Sequence, residues 1–285
     1  METEMLERDV VLQPTLANKE HFRAEHVLST MVAALAAAIS IIGLRFPAIY
    51  GSNWGNGTSL GNDLVTLVVA VPVLVLSMIY AARGSARAHL LWLGSLYYMV
   101  YNYAFYVFGI PVTPLFVPIV AAFALSGVAV VLTMFRLDAE AIGRRFTRRT
   151  PARPVAVYLF YVAVMISFLW ISQWVKFVMT GHLPEVNGSA EAYHVIAAVD
   201  LTFLVGMFFP AACLLWKRNV WGYLLGVAGL VQGAIYLAVM ATVCVFGWKL
   251  NPGSQLFSGW FINCIVGCTV SLLCLAALLG NLKAE

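Results

Sequence analysis

The chain has 285 residues, of which 62% are hydrophobic and 11% charged, with a net charge of +4 and a mean hydropathy of +0.87. A soluble domain carries about twice that share of charge. A water-soluble enzyme and a nucleic-acid-binding module are therefore excluded, and the lipid bilayer is the expected partner.

A bilayer core of about 30 Å needs about 20 apolar residues per helix. Transmembrane strands would alternate polar and apolar residues, and the apolar runs here do not. The fold class expected is all-α: a polytopic helical membrane protein with eight transmembrane helices. Residues 1–26 are polar and mixed in charge. They read as a cytoplasmic segment without a cleavable signal peptide, because the first apolar run is long enough to span and stay. Spans follow at 27–50, 62–82, 88–109 and 113–136, then a basic linker at 137–153. Four more follow at 154–177, 194–216, 220–247 and 256–281, with a short tail to residue 285.

Fourteen of the 17 cations fall on one side of these spans. They include Arg83, Arg87, Arg136, Lys217, Arg218, Lys283 and the run from Arg144 to Arg153. The other side holds Arg45, Lys176 and Lys249. The positive-inside rule then places both termini and the linker in the cytoplasm, for a protein of the cell membrane.

The linker separates two halves, 27–136 and 154–285, that share landmarks in order. Asp63-Leu64 corresponds to Asp200-Leu201, Pro72 to Pro210, Tyr98 to Tyr236, and Val107-Phe108-Gly109 to Val245-Phe246-Gly247. Four spans per half is an even number, so the expected repeat is parallel, with a pseudo-two-fold axis along the membrane normal. Two stripes of small residues, Ala33-Ala36-Ala37-Ser40-Gly43 and Gly222-Gly226-Gly229-Gly233, read as packing seams. Pro72, Pro118 and Pro210 lie inside spans and are expected to free backbone carbonyls and kink the helices.

Polar residues within spans are costly and call for a reason. Asp63, Asn102, Gln173 and Asp200 all fall in the outer half of the bundle, with Tyr98 and Trp174 near the same level. The inner half offers little stronger than Ser, Thr or Tyr. Aromatic walls with a few placed polar groups suit a ligand pocket, while an interfacial aromatic belt explains the same rings. Arg45 is expected to pair with Asp63, and Lys176 with Asp200. Together these eight residues form the candidate ligand site.

Two weaker chemistries are present. Cys264 and Cys268 stand four apart on one helix face, and His182, Glu185, Glu191 and His194 cluster at an outer loop; neither matches a metal motif. Asn56-Gly57-Thr58 and Asn187-Gly188-Ser189 have the form of glycosylation sequons, which Gly-rich turns explain as well. No cofactor motif is found. The stretch Arg83-Gly84-Ser85 through Leu91-Trp92-Leu93-Gly94, then Tyr101-Asn102-Tyr103-Ala104-Phe105-Tyr106, resembles a group of uncharacterised bacterial multipass proteins. So do Asp63-Leu64 and the Trp221-Gly222-Tyr223 region. The resemblance implies a membrane family and transfers no catalytic residue. The functional expectation is a transporter or binder of a small or amphiphilic molecule. The alternatives are an accessory subunit of a membrane complex and an enzyme using Asp63 and Asp200 as an acid/base pair.

Overall fold

The computed structural model describes residues 23–51, 55–182, 190–250 and 255–283. These form a helical bundle. Helix α1 is Arg23–Arg45. Helix α2 runs as Gly55–Val65, a π-helical turn at Thr66–Ala70, and Val71–Ala81. Helices α3 and α4 are Ala86–Gly109 and Phe116–Arg136. After the short helix Ala139–Arg144 come α5, Ala152–Thr180, and α6. Like α2, α6 has three parts: Ala190–Val199, a π-helical segment Asp200–Val205, and Gly206–Trp216. Helices α7 and α8 are Val220–Leu250 and Gln255–Gly280.

Local sequence explains several helix ends. Pro47 follows α1 and opens a 3-10 turn, Pro47–Tyr50; a proline restricts the residue before it to extended backbone. Ser85 caps α3 by accepting from Ala88 N, and Asp138 caps the short helix by accepting from Ala141 N. Helix α5 stops at Gly181, whose φ of 70° is a left-handed terminator that suits glycine.

Seven of the long helices have the length and apolarity to cross a membrane. Eight spans were expected, and α3 is the one that falls short. It is 24 residues long, but it carries Tyr97, Tyr98, Tyr101, Asn102, Tyr103 and Tyr106, which dilute its hydropathy. The tertiary structure accounts for this composition. With 17 of its 24 residues buried, α3 meets neighbouring helices on nearly every side. It packs on α2, α4, α7 and the first segment of α6. Helix α7 is the second central element, packing on α3, α8, the last segment of α6 and the first segment of α2. Helix α8 lies at the periphery, with 17% of its apolar window buried.

The small-residue stripes act as seams. Gly229 and Gly233 face the Phe208 ring of α6, and a Cβ at Gly222 would run into the backbone of Leu214 and Leu215. Gly94 of α3 meets Val231 of α7. Pro118 falls in the first turn of α4, where its missing N–H breaks no intrahelical hydrogen bond and gives no reason for a kink. Pro72 and Pro210 each follow a π-helical segment. Both bulges precede a proline, which removes a backbone donor and so favours local rearrangement of the ladder.

Candidate functional site

Two buried acids, Asp63 and Asp200, lie at the bulged helices. Asp63 is one turn before the α2 bulge, and Asp200 begins the α6 bulge. Each is at least 95% buried, and each carboxylate accepts two hydrogen bonds from neutral donors. Tyr50 Oη donates to Asp63 Oδ2 at 2.9 Å and Tyr106 Oη to Asp63 Oδ1 at 3.0 Å. Tyr101 Oη donates to Asp200 Oδ1 at 2.6 Å and Trp170 Nε1 to Asp200 Oδ2 at 2.9 Å. Buried carboxylates need such partners, since each unmet acceptor forfeits its solvation.

Helix α3 supplies a donor to both acids and also braces both bulges. The Tyr98 hydroxyl and Thr66 Oγ1 share a hydrogen bond at 3.0 Å, with Asn62 Oδ1 3.5 Å from the same hydroxyl. Tyr97 Oη donates to the Phe203 carbonyl at 2.7 Å, inside the α6 bulge. Trp170 is itself positioned by Tyr193 of α6, whose hydroxyl donates to the Trp170 carbonyl at 3.2 Å. Close approach at Asp63 depends on Gly43, where a Cβ would overlap Asp63 Oδ2 and Tyr50 Oη.

A small cleft of about 20 Å³ is lined by Tyr50, Thr58, Ser59, Asn62, Tyr106 and Ile110. That volume fits about one water. Two of its walls, Tyr50 and Tyr106, are the donors to Asp63. Among the described residues, the large side chains Trp92, Tyr98, Tyr101 and Tyr103 are fully buried in the interior around α3.

The eight candidate residues therefore divide. Asp63, Asp200, Tyr98 and Asn102 are buried. Gln173 is half-buried and turns its amide back to the Leu169 carbonyl of its own helix at 3.4 Å. Trp174, Arg45 and Lys176 are exposed on the helix exterior. The two expected ion pairs do not form. Arg45 lies over the Phe46 ring at 5.2 Å, and among the described residues neither Arg45 nor Lys176 reaches a carboxylate. Long cationic side chains at a helix end snorkel to water more cheaply than they enter the bundle. Tyrosine and indole donors take the places assigned to the cations.

Four donors went unrecognised in that role: Tyr50, Tyr101, Tyr106 and Trp170. At the opposite end the inner half is less apolar than its span composition implies. Glu25 is fully buried there and pairs with Arg136 at 2.8 Å. Beside it Trp92 Nε1 donates to Ser29 Oγ at 2.9 Å, and the His26 and His89 rings flank Trp92. Of the thiols, Cys268 donates to the Ala234 carbonyl at 3.4 Å. No cluster of metal-binding side chains occurs among the described residues. Of the loop cluster, Glu185 lies outside the described residues, as does the whole of the second sequon, Asn187-Gly188-Ser189.

Comparison with protein-family models, curated proteins and solved structures finds no match.

Proposed function

We propose that this protein is a cell-membrane carrier or binder of a small cationic or amphiphilic solute, with Asp63 and Asp200 as its recognition groups. One observation carries the reading: two carboxylates buried within apolar helices are held by neutral donors, with no cationic partner among the described residues. Ionisable side chains at such positions are expensive, and where retained they mark substrate or ion pathways. Carboxylates ringed by tyrosine and tryptophan suit a cation, which both the charge and the ring faces attract. The cleft beside Asp63 has room for about one water. A larger solute therefore reaches Asp63 by displacing Tyr50 or Tyr106, and the bulges of α2 and α6 are the places where those helices have slack.

The architecture behind this reading is eight spans arranged as two parallel repeats. Several contacts support α3 as the missing span. Glu25 at the start of α1 meets Arg136 at the end of α4. Arg87, at the start of α3, reaches the Leu282 carbonyl after α8. At the other end of α3, Tyr106 joins Asp63 and the α1–α2 connection. The repeat is supported by the bulge-then-proline pattern shared by α2 and α6 and by the packing: α7 lies on the first segment of α2, and α3 on the first segment of α6.

The binding test uses thermal unfolding in detergent with ammonium, benzylamine and tetraphenylphosphonium as probes. At least one should raise the wild-type Tm saturably. Asp63→Asn and Asp200→Asn should fold and lose that response to similar extents, as repeated sites require. The reading fails if none of the probes shifts the wild type, or if both variants respond as it does.

Orientation follows from the cations, with both termini and the linker cytoplasmic. With the native cysteines removed, Glu140→Cys should react with an impermeant maleimide only after intact cells are opened. Labelling from outside would invert the topology.

A second reading, an accessory subunit, draws support from the large side chains buried around α3 and the exposed flank of α8. The acid/base enzyme draws none: the acids have separate donor pairs, and the cleft borders only those of Asp63.

A further inference from the structure

We propose that the Arg- and Lys-rich end of the bundle is a built surface for anionic phospholipid headgroups. It rests on the membrane reading and is independent of the carrier reading.

A topology signal needs only cations in the chain; it needs no fold to arrange them. Here separate segments are tied into one surface. The Phe146 ring of the central loop stacks on Tyr223 of α7 at 4.2 Å and 12°. Phe146 also forms an antiparallel bridge with Leu282 after α8, and Lys283 N donates to the Arg145 carbonyl at 3.0 Å. Arg218, in the α6–α7 turn, donates through Nη1 to the Arg148 carbonyl at 3.1 Å. These contacts fix the loop against the helix ends.

The result gathers like charges. Arg144, Arg148, Arg149, Arg153, Lys217 and Arg218 are all exposed, on the loop, the start of α5 and the α6–α7 turn. The acids described in the same loop are Asp138, which caps a helix, and Glu140. Exposed cations outnumber these two acids, and an anion seated among them would relieve their mutual repulsion. The aromatic residues set the depth. Arg153 lies over the Trp216 ring at 5.6 Å, and Arg83 lies over the Tyr80 ring at 5.2 Å. Half-exposed Trp and Tyr mark the headgroup level of a bilayer, so the guanidinium groups stand where lipid phosphates do. Arginine's planar fork also matches two phosphate oxygens at once.

The test compares nanodiscs of phosphatidylcholine alone with discs in which roughly one quarter of the lipid is phosphatidylglycerol, a charged-leaflet mimic. Both disc faces are open, so orientation does not enter. Wild-type protein should gain several degrees of Tm in the anionic discs. That gain should vanish at about 1 M salt, where the screening length is about 3 Å. The triple variant Arg144→Gln, Arg148→Gln, Arg149→Gln removes side chains that hold no described contact. It should match wild type in phosphatidylcholine and lose more than half of the gain. A second readout, phosphatidylglycerol retained on the wild type through purification in place of phosphatidylcholine, applies even if the variant folds poorly. An equal Tm for wild type in both discs overturns the proposal. So does a full gain in the folded variant, or retention without preference for the anionic lipid.

Discussion

Replacing Arg136 with alanine lowers stability by about 1–3 kcal/mol, the cost of leaving a buried acceptor without its partner; the partial exposure of Arg136 keeps the loss below that of a fully buried pair. Glu25 is fully buried at the start of α1, and its Oε2 accepts from Arg136 Nη1 at 2.8 Å. Its other oxygen has no partner in the described structure, so the compensation comes chiefly through Arg136. Remove the guanidinium and the carboxylate keeps its desolvation cost without the attraction that offsets it. Reversible unfolding in mixed detergent micelles measures the loss. The double variant Glu25→Met, Arg136→Met should recover most of it, since it removes the buried carboxylate that the guanidinium compensates. A loss below about 1 kcal/mol in the single variant would show that Glu25 is relieved in some other way.

Gly61→Leu should be comparably severe. A Cβ at this position would lie 2.7 Å from Val243 N and 2.9 Å from Val243 Cα. Those are backbone atoms of α7, so no rotamer change relieves the clash and the helices must separate. Overpacking typically costs about 1–3 kcal/mol, and a backbone obstacle places this substitution at or above the top of that range. Gly127→Leu is the matched control, because a Cβ there meets nothing within 4 Å; it should change stability by no more than about 0.5 kcal/mol. Equal losses at the two positions would mean that leucine itself, and not the α2–α7 crossing, sets the cost.

Membrane class and most helix positions were legible because both follow from local composition. A run of about 20 apolar residues has one stable home, but the exact ends were less legible: Pro47 stops α1 at Arg45, short of the expected residue 50, and α5 continues past the expected residue 177 until Gly181 stops it. The burial of Asp63 and Asp200 was legible for a similar reason, as it follows from their places in apolar runs. Their partners were not. The donors to Asp63 are 13 and 43 residues away, and those to Asp200 are 99 and 30 away. Charge complementarity proposed Arg45 and Lys176, but sequence carries no signal that a tyrosine hydroxyl will outcompete a cation able to reach water. The bulges were hidden because one extra residue per turn barely disturbs a hydropathy pattern. Glu25 was missed because it precedes the first apolar run, where a polar residue looks solvated until α4 covers it.

The tyrosines of α3 bear on how the chain enters a membrane. A segment bearing several tyrosines, an asparagine and a histidine partitions into lipid less readily than its neighbours. In the eight-span arrangement, α3 alone would hesitate at the translocation channel, while α2 and α4 have the apolarity to leave it unaided. Its retention then depends on neighbours already at hand. Asp63, delivered earlier on α2, can satisfy Tyr106, but the acceptors of Tyr97 and Tyr101 arrive only with α6. The first half would thus wait beside the channel, with two hydroxyls unpaired, until the second half has been synthesised. In that arrangement the order of synthesis would be part of the assembly pathway.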